Sequence, residues 1–255
     1  MSANEPGQPG TEAPTMRVDL PTPAVALAVG AHPDDVEFGA GGTLAKWADG
    51  GCVVHHLVCT DGSKGTWDVE ADVAALARRR QVEQREAARR LAGDRAGEVR
   101  FLGVIDGELD NTLGVRRAVT LTIRELRPDV VLGHDPWKRY RLHPDHRNAG
   151  LILCDAIVAA RDPHFFPDLG VPHHRPDHLL LWEADEPDHA EDVSATIDRK
   201  LAALEAHESQ FESTMHALDD GQLEQFRQRI RDRLAELGEP IGLPAAEVFK
   251  HIADL

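Results

Sequence analysis

Short apolar runs that do not alternate with polar residues, each followed by a helical stretch, constrain this chain more than any other feature. The first, Ala24-Val-Ala-Leu-Ala-Val-Gly30, has the pattern of a strand buried on both faces of a parallel sheet. It runs into His-Pro-Asp-Asp, a short helical pattern over residues 42–49 closed by Gly50-Gly51, and a second strand over 52–59. Strand, helix and strand in this order make a βαβ unit. A long helix is expected over 71–91, with Leu76, Val82, Ala87 and Leu91 on its apolar side. Strands follow over 99–103, 129–133 and 178–182, and helices over 114–126 and 148–160. From residue 193 the chain reads as mostly helical, clearest over 195–207 and 222–237.

The expected fold is therefore a single α/β domain over 24–255, doubly wound and Rossmann-like. It has a mainly parallel sheet, helices on both faces and a helical C-terminal portion from about 213 to 255. In such sheets the ligand site lies beyond the carboxyl ends of the strands. Residues 1–23, rich in Pro, Gly, Glu and Thr, have neither a basic n-region nor an apolar h-region and read as a flexible tail, not a signal peptide.

Composition narrows the function. With 28 Lys plus Arg against 44 Asp plus Glu, the net charge of −16 leaves no uniform basic face for nucleic acid or an anionic membrane surface. The apolar run over 24–30 falls far short of a membrane span. Three cysteines with no Cys-x-x-Cys argue against a disulfide framework or a thiolate zinc site and point to the cytoplasm. A metal would have to use carboxylates and some of the 14 histidines.

Two motifs supply such groups. His32-Pro-Asp34-Asp35 follows the first strand and His143-Pro-Asp-His146 lies a short loop beyond the fourth, so both fall on one edge of the sheet. A single His-Pro-Asp is often only a turn with an N-cap. Two at adjacent strand ends offer two His and a carboxylate with open positions for water, the pattern of a catalytic metal site. The spacing does not say which of Asp34 and Asp35 binds the metal. A metal-bound carboxylate is a poor base, so activation of water calls for one that stays free.

Residues 31–45, Ala-His-Pro-Asp-Asp-Val-Glu-Phe-Gly-Ala-Gly-Gly-Thr-Leu-Ala, resemble the opening signature of the LmbE-like, or PIG-L, zinc-dependent N-acetylglucosaminyl deacetylases. Thr60-Asp-Gly-Ser-Lys-Gly65, Arg80-x-x-Glu83, Asp106-Gly-Glu-Leu109, Arg127-Pro-Asp-Val-Val, His143-Pro-Asp-His146 and Ala206-His-Glu-Ser-Gln210 continue the likeness over roughly residues 24–211. The resemblance implies that His32, Asp35 and His146 bind zinc, that Asp34 is the general base, and that a protonated His143 helps to hold the oxyanion. It also implies a homo-oligomer and a substrate that is an N-acetylated amino sugar, with the aglycone left open. Ferrous iron fits the same donors as Zn2+.

Arg80 and Asp106 occupy positions that the resemblance turns towards substrate, although Arg80, in the charge run Arg78-Arg79-Arg80, also reads as a solvated helix face or an ion pair with Glu83. Lys64, in a glycine-flanked loop after the second strand, is placed to reach a sugar or phosphate, and Trp137 or Trp67 is expected to stack on a sugar ring. The loops over 67–73 and 163–175 are expected to wall the pocket. Glu37 reads either as support for a ligand or as a surface carboxylate, and His134 and Asp135 end a strand near the site. His55 and His56 read as packing residues, and His164, His173, His174 and His178 as pocket wall or surface. A nucleotide-binding reading fails because the third glycine of Gly-x-Gly-x-x-Gly falls on Leu44. A ferrous oxygenase commonly uses His-x-Asp on a β-barrel, not His-x-x-Asp on a parallel sheet. The remaining alternatives are an amidase acting on another N-acylated small molecule and a non-catalytic metal- or ligand-binding relative. The presence of a full ligand set with a base weighs against the second.

Overall fold

The computed structural model describes residues 16–255. In chain order the strands are β1 (Arg17–Val18), β2 (Val25–Gly30), β3 (Val53–Thr60), β4 (Ala96–Val104), β5 (Val130–His134), β6 (His178–Trp182), β7 (His189–Asp192) and β8 (Ala246–Ala253). The helices are α1 (Asp35–Asp49), α2 (Val73–Ala92), α3 (Leu113–Leu126), α4 (Pro144–Arg161), α5 (Ile197–Leu204) and α6 (Asp220–Gly238).

Side chains of a strand point alternately to its two faces, and β2 shows why its whole run is apolar. Ala26 and Ala28 pack under residues of α1, α2 and α5, such as Leu44, Leu91 and Ala203. Leu27 and Val29 pack on the other face with Val119 and Ile123 of α3 and Ile152 and Leu153 of α4. The strands form one sheet in the order β1-β7-β8-β6-β5-β2-β3-β4. β2 pairs parallel with both β3 and β5, and β3–β4 and β5–β6 are parallel too. The chain winds outward in one direction from β2 and in the other from β5. Their shared carboxyl ends are the topological switch point, where a crevice opens in folds of this type. The doubly wound sheet expected from the sequence is thus the one observed.

Several boundaries differ from expectation. The tail expected over 1–23 lies outside the described residues as far as 15, but residues 17–20 are part of the fold. β1 pairs parallel with β7, and the Leu20 N–H donates to Glu191 at 2.9 Å. The segment expected to be helical to residue 255 ends in β8, which is antiparallel to β6 and β7 and sits between them. β7 also lay unseen. Both strands carry buried charges in place of an apolar run, and each charge has a partner. Lys46 reaches Glu191 at 2.6 Å, and Lys200 reaches Glu247 at 2.6 Å. Finally, α1 and α4 begin at Asp35 and Pro144, several residues before their apolar patterns start.

The Lys200–Glu247 pair has a defined task. α1 is kinked at Ala40 (φ −146°, ψ 16°), which frees backbone groups on either side of the break. The Glu247 carboxylate accepts the N–H groups of Gly42 and Thr43 at 2.9 and 2.8 Å, and Lys200 Nζ donates to the Phe38 carbonyl at 2.7 Å. The pair caps both half-helices at once. Glycines let the neighbours approach: a Cβ on Gly39 would lie 2.5 Å from the Trp182 ring, and one on Gly42 would lie 2.7 Å from Val193.

Removing one partner of such a pair leaves the other charge buried alone, so Lys200→Met is expected to lower stability by about 3–5 kcal/mol, read as a shifted urea midpoint by circular dichroism. A loss under about 1 kcal/mol would mean that the cap is dispensable.

Candidate active site

The carboxyl end of β2 delivers Ala31, His32, Pro33 and Asp34, and α1 begins at Asp35. β5 ends at His134, and after a loop α4 begins with His143 at its N-cap, where Nδ1 accepts the Asp145 N–H at 3.3 Å. Two helix N-termini therefore point into the crevice, an arrangement that favours carboxylates. Asp35 and Asp145 occupy those first turns.

Among the described residues, three overlapping sets of possible metal donors meet here: His32/His143/His146, Asp35/His134/His146 and His32/Asp106/Asp145. Each set has its atoms within 4.8 Å of one another. Hydrogen bonds separate the free donors from those already engaged. Asp35 Oδ2 accepts the backbone N–H of His32 at 2.7 Å and lies 3.1 Å from His134 Nε2. The Trp182 indole N–H, which can only donate, reaches His134 Nδ1 at 3.0 Å. That contact places the proton of His134 on Nε2, aimed at Asp35. His32 Nε2 faces Asp145 at 3.1 Å and Asp106 at 3.2 Å, and Asp145 is itself fixed by the Gly107 and Leu109 N–H groups.

What stays free is His32 Nδ1, His146 Nε2 and Asp35 Oδ1. His32 Nδ1 is 3.1 Å from His146 Nε2 and 3.4 Å from the other Asp35 oxygen, Oδ2, and His146 Nε2 is 3.4 Å from Asp35 Oδ1. Ligands bound about 2.0–2.1 Å from one zinc ion stand roughly 3.0–3.4 Å apart. The donor set therefore fits a divalent metal with nitrogen and oxygen ligands.

The titration behaviour agrees. Burial alone would lower the pKa of His32, but Asp106, Asp145 and Asp35 outweigh it and push it up to about 12. Burial, against the pull of Asp35, brings His146 down to about 4, so it is a neutral imidazole able to coordinate. Asp35 is also buried, yet His134 and His146 hold its carboxyl well below the usual range. Burial and then the neighbouring His32 keep His143 below its ordinary value. With Nδ1 occupied by the Asp145 backbone N–H, His143 carries a proton on Nε2. It is thus a donor there, whether neutral or in the protonated form that the resemblance implies.

Asp34 lies beside these groups. It occupies the N-cap position of α1 at φ 107° but caps nothing. Such a left-handed conformation costs a non-glycine residue on the order of 1–3 kcal/mol, and α2 supplies what holds it. Arg80 donates to the Asp34 carboxylate at 3.3 Å and to the Gly62 carbonyl at 3.0 Å, and also bonds the Pro33 carbonyl. Gln84, one turn further along α2, accepts the Asp34 N–H at 3.0 Å. Its amide is oriented in turn by Glu37 at 2.7 Å and His56 at 3.2 Å, and Glu37 also meets His207 at 3.3 Å. Burial raises the Asp34 pKa to about 6, with Arg80 opposing the rise.

The structure thus brings together His32, Asp34, Asp35, His143 and His146, and redistributes the other candidates. Arg80 is buried and engaged with the protein, unlike its exposed neighbours Arg78 and Arg79. Asp106 lies against His32. Lys64 lines the cavity, with Nζ 3.5 Å from Glu108. Trp137 and Trp67 are 63% and 81% exposed and neither lines the main cavity, so the stacking role is not supported for them; Trp67 borders a separate small hollow. The loop over 163–175 contributes nothing to the wall, and His174 instead bonds the Pro128 carbonyl at 2.8 Å. Glu37 is fully buried and touches no proposed ligand, and His56 belongs to its network and does not merely pack. Gln84, Asp145 and Trp182 were missed. Of these only Asp145 carried a signal, its place between two motif histidines.

The cavity containing these groups measures about 1060 Å³. Residues 27–157 match the family model described as PIG-L, GlcNAc-PI de-N-acetylase. The chain is 38% identical over 188 residues to a diacetylchitobiose deacetylase of Thermococcus kodakarensis, covering 72% of this chain and 69% of that protein. It is 31% identical over 242 residues to a 1D-myo-inositol 2-acetamido-2-deoxy-alpha-D-glucopyranoside deacetylase of Saccharopolyspora erythraea, covering 76% and 85%. Among solved structures, the N,N'-diacetylchitobiose deacetylase of Pyrococcus horikoshii superposes with a TM-score of 0.81 at 31% identity, covering 91% of this chain and 84% of that one.

Because metal-free His32 holds a proton where the metal would sit, metal binding at pH 7 is expected to release about one proton. Calorimetry in two buffers of different ionisation enthalpy measures this. Affinity should weaken as pH falls. A pH-independent affinity without proton release would exclude His32 Nδ1 as a ligand.

Proposed function

The chain belongs to the PIG-L family of GlcNAc-PI de-N-acetylases, and on that premise we propose that it is a metal-dependent N-deacetylase. Its substrate is an N-acetylglucosamine-containing small molecule, and its products are acetate and a free amine. The observation that carries this reading is the triangle of His32 Nδ1, His146 Nε2 and the Asp35 carboxylate beside the buried carboxylate of Asp34. His32, Asp35 and His146 would hold the metal. Zn2+ is the ion that their nitrogen and oxygen donors and open positions suit best, and Fe2+ is the competing occupant. Such an ion acts as a Lewis acid towards a carbonyl and lowers the pKa of water.

The chain's own residues complete the chemistry. Asp34 takes the proton of the attacking water, its raised pKa placing it nearer the operating pH of a general base. Arg80 and Gln84 hold that carboxylate in place from one face of α2. His143 donates from Nε2 to the oxyanion of the tetrahedral intermediate. Protonated Asp34 then returns its proton to the amine as the C–N bond breaks. Asp106 and Asp145 keep the Nδ1 lone pair of His32 turned to the metal by accepting from Nε2. Among the described residues no helix is long and apolar enough to cross a membrane.

Zinc-loaded protein is expected to release acetate from N-acetylglucosaminides in a chelator-sensitive way. Asp34→Asn should lower kcat by about 10²–10⁴ with metal content unchanged, whereas His32→Ala should lose the metal itself. Full activity in Asp34→Asn would remove it from the role of base. The base works only when deprotonated, so kcat/KM should rise with pH to a plateau, with a midpoint at or below about 6 because a bound cation adds to the pull of Arg80. Arg80→Met should move that midpoint upward, and an unmoved or lowered midpoint would contradict the assignment.

A further inference from the structure

The cavity does not end with the polar groups around His32. It continues past Phe38 to Ile230, Leu234 and Leu237 of α6 and to Val248 of β8. Positions 230, 234 and 237 share one face of a helix, and here that apolar face borders the same open space as the catalytic groups. The wall is fixed from behind. Ile230 and Leu234 pack with Val193 and Ala245, and the Phe38 ring sits edge-on to Phe226 at 6.2 Å. Of the charged groups that line the cavity at this end, Lys200 and Glu247 neutralise each other at 2.6 Å, and Arg233 is largely exposed beside Glu236. At about 1060 Å³ the cavity lies just above the roughly 300–1,000 Å³ usual for small-molecule clefts.

Chemistry selects the occupant. Sugar hydroxyls laid against Phe38, Ile230 and Leu237 would give up water and find no partner in those side chains. An alkyl or aryl group gains there in proportion to the area it buries. An acetyl group ends in one methyl and needs no such space, so the part of the substrate left to fill the arm is the aglycone. We propose that the arm between Phe38 and α6 is an aglycone subsite, and that the preferred substrate is an N-acetylglucosaminide with an alkyl or aryl aglycone. This rests on the deacetylase reading above.

The test compares zinc-loaded wild type on methyl, butyl, hexyl and phenyl N-acetyl-β-glucosaminides and on diacetylchitobiose. In parallel, calorimetry follows binding of the corresponding alkyl β-glucosaminides to zinc-loaded Asp34→Asn. The expected result is a kcat/KM at least about tenfold higher for hexyl than for methyl, carried mainly by KM, with affinity rising in step. Leu237→Gln and Ile230→Asn, each checked for cooperative unfolding, should reduce that ratio to within about threefold of unity. A flat series, or diacetylchitobiose preferred over the hexyl glycoside, overturns the subsite and leaves the deacetylase reading standing. Rates that climb with N-acyl length instead, on a fixed methyl glycoside, also overturn it by giving the arm to the acyl group. Absence of acetate release from every compound overturns the deacetylase reading, while the binding series still decides the arm.

Discussion

The Asp35 carboxylate ties together the parts from which the site is built. One oxygen accepts from the His32 backbone at the end of β2 and faces His134 at the end of β5, and His134 is oriented by the Trp182 indole at the end of β6. The other oxygen faces His146 on α4. Three adjacent parallel strands and two helix N-termini thus converge on a single buried acid. Trp182 can lie close enough because position 39 of α1 has no side chain, so the glycine-rich part of the signature serves the same knot as its histidine.

Charge is what this convergence has to manage. Asp34, Asp35, Asp106 and Asp145 are all buried near one another, in surroundings where unpaired ions are costly. Helix N-termini, backbone N–H groups and imidazoles each offset part of that cost. The remainder explains the unusual titration of His32, which keeps a proton in the position a divalent ion would take. A cation bound there would also stabilise the fold by mass action, since the unfolded chain does not assemble these donors.

The same logic, buried charge matched by a partner, separates the parts of the fold that could be read in advance from those that could not. β2, β5 and β6 are nearly continuous apolar runs buried on both faces, and β3 is one but for His55 and His56, so these runs give them away. β7 and β8 place Glu191 and Glu247 inside, where Lys46 and Lys200 meet them from helices far away in sequence. A pattern of hydrophobicity cannot register a charge neutralised by a residue some 50 to 150 positions distant. Hence the C-terminal portion looked helical, although its last segment closes the sheet.

Local sequence determined the doubly wound architecture, the two His-Pro-Asp motifs and their meeting on one edge, because strand burial and motif spacing are short-range properties. It also singled out His32, Asp35 and His146 as the proposed donors and Asp34 as the proposed base, through the likeness of residues 31–45 and 143–146 to a family signature. Only the tertiary structure decided which atom of each side chain is free. That choice depends on Trp182, Asp145, Gln84 and the other hydrogen-bond partners that fix tautomers and carboxylate oxygens, and these come from strands and helices that folding alone brings within 3 Å or so of the site. It likewise decided that Arg80 clamps the Asp34 carboxylate, that Trp137 stands outside the cavity, and that an apolar face of α6 faces the crevice. Each is a matter of direction, and direction is set by packing between elements remote in the chain.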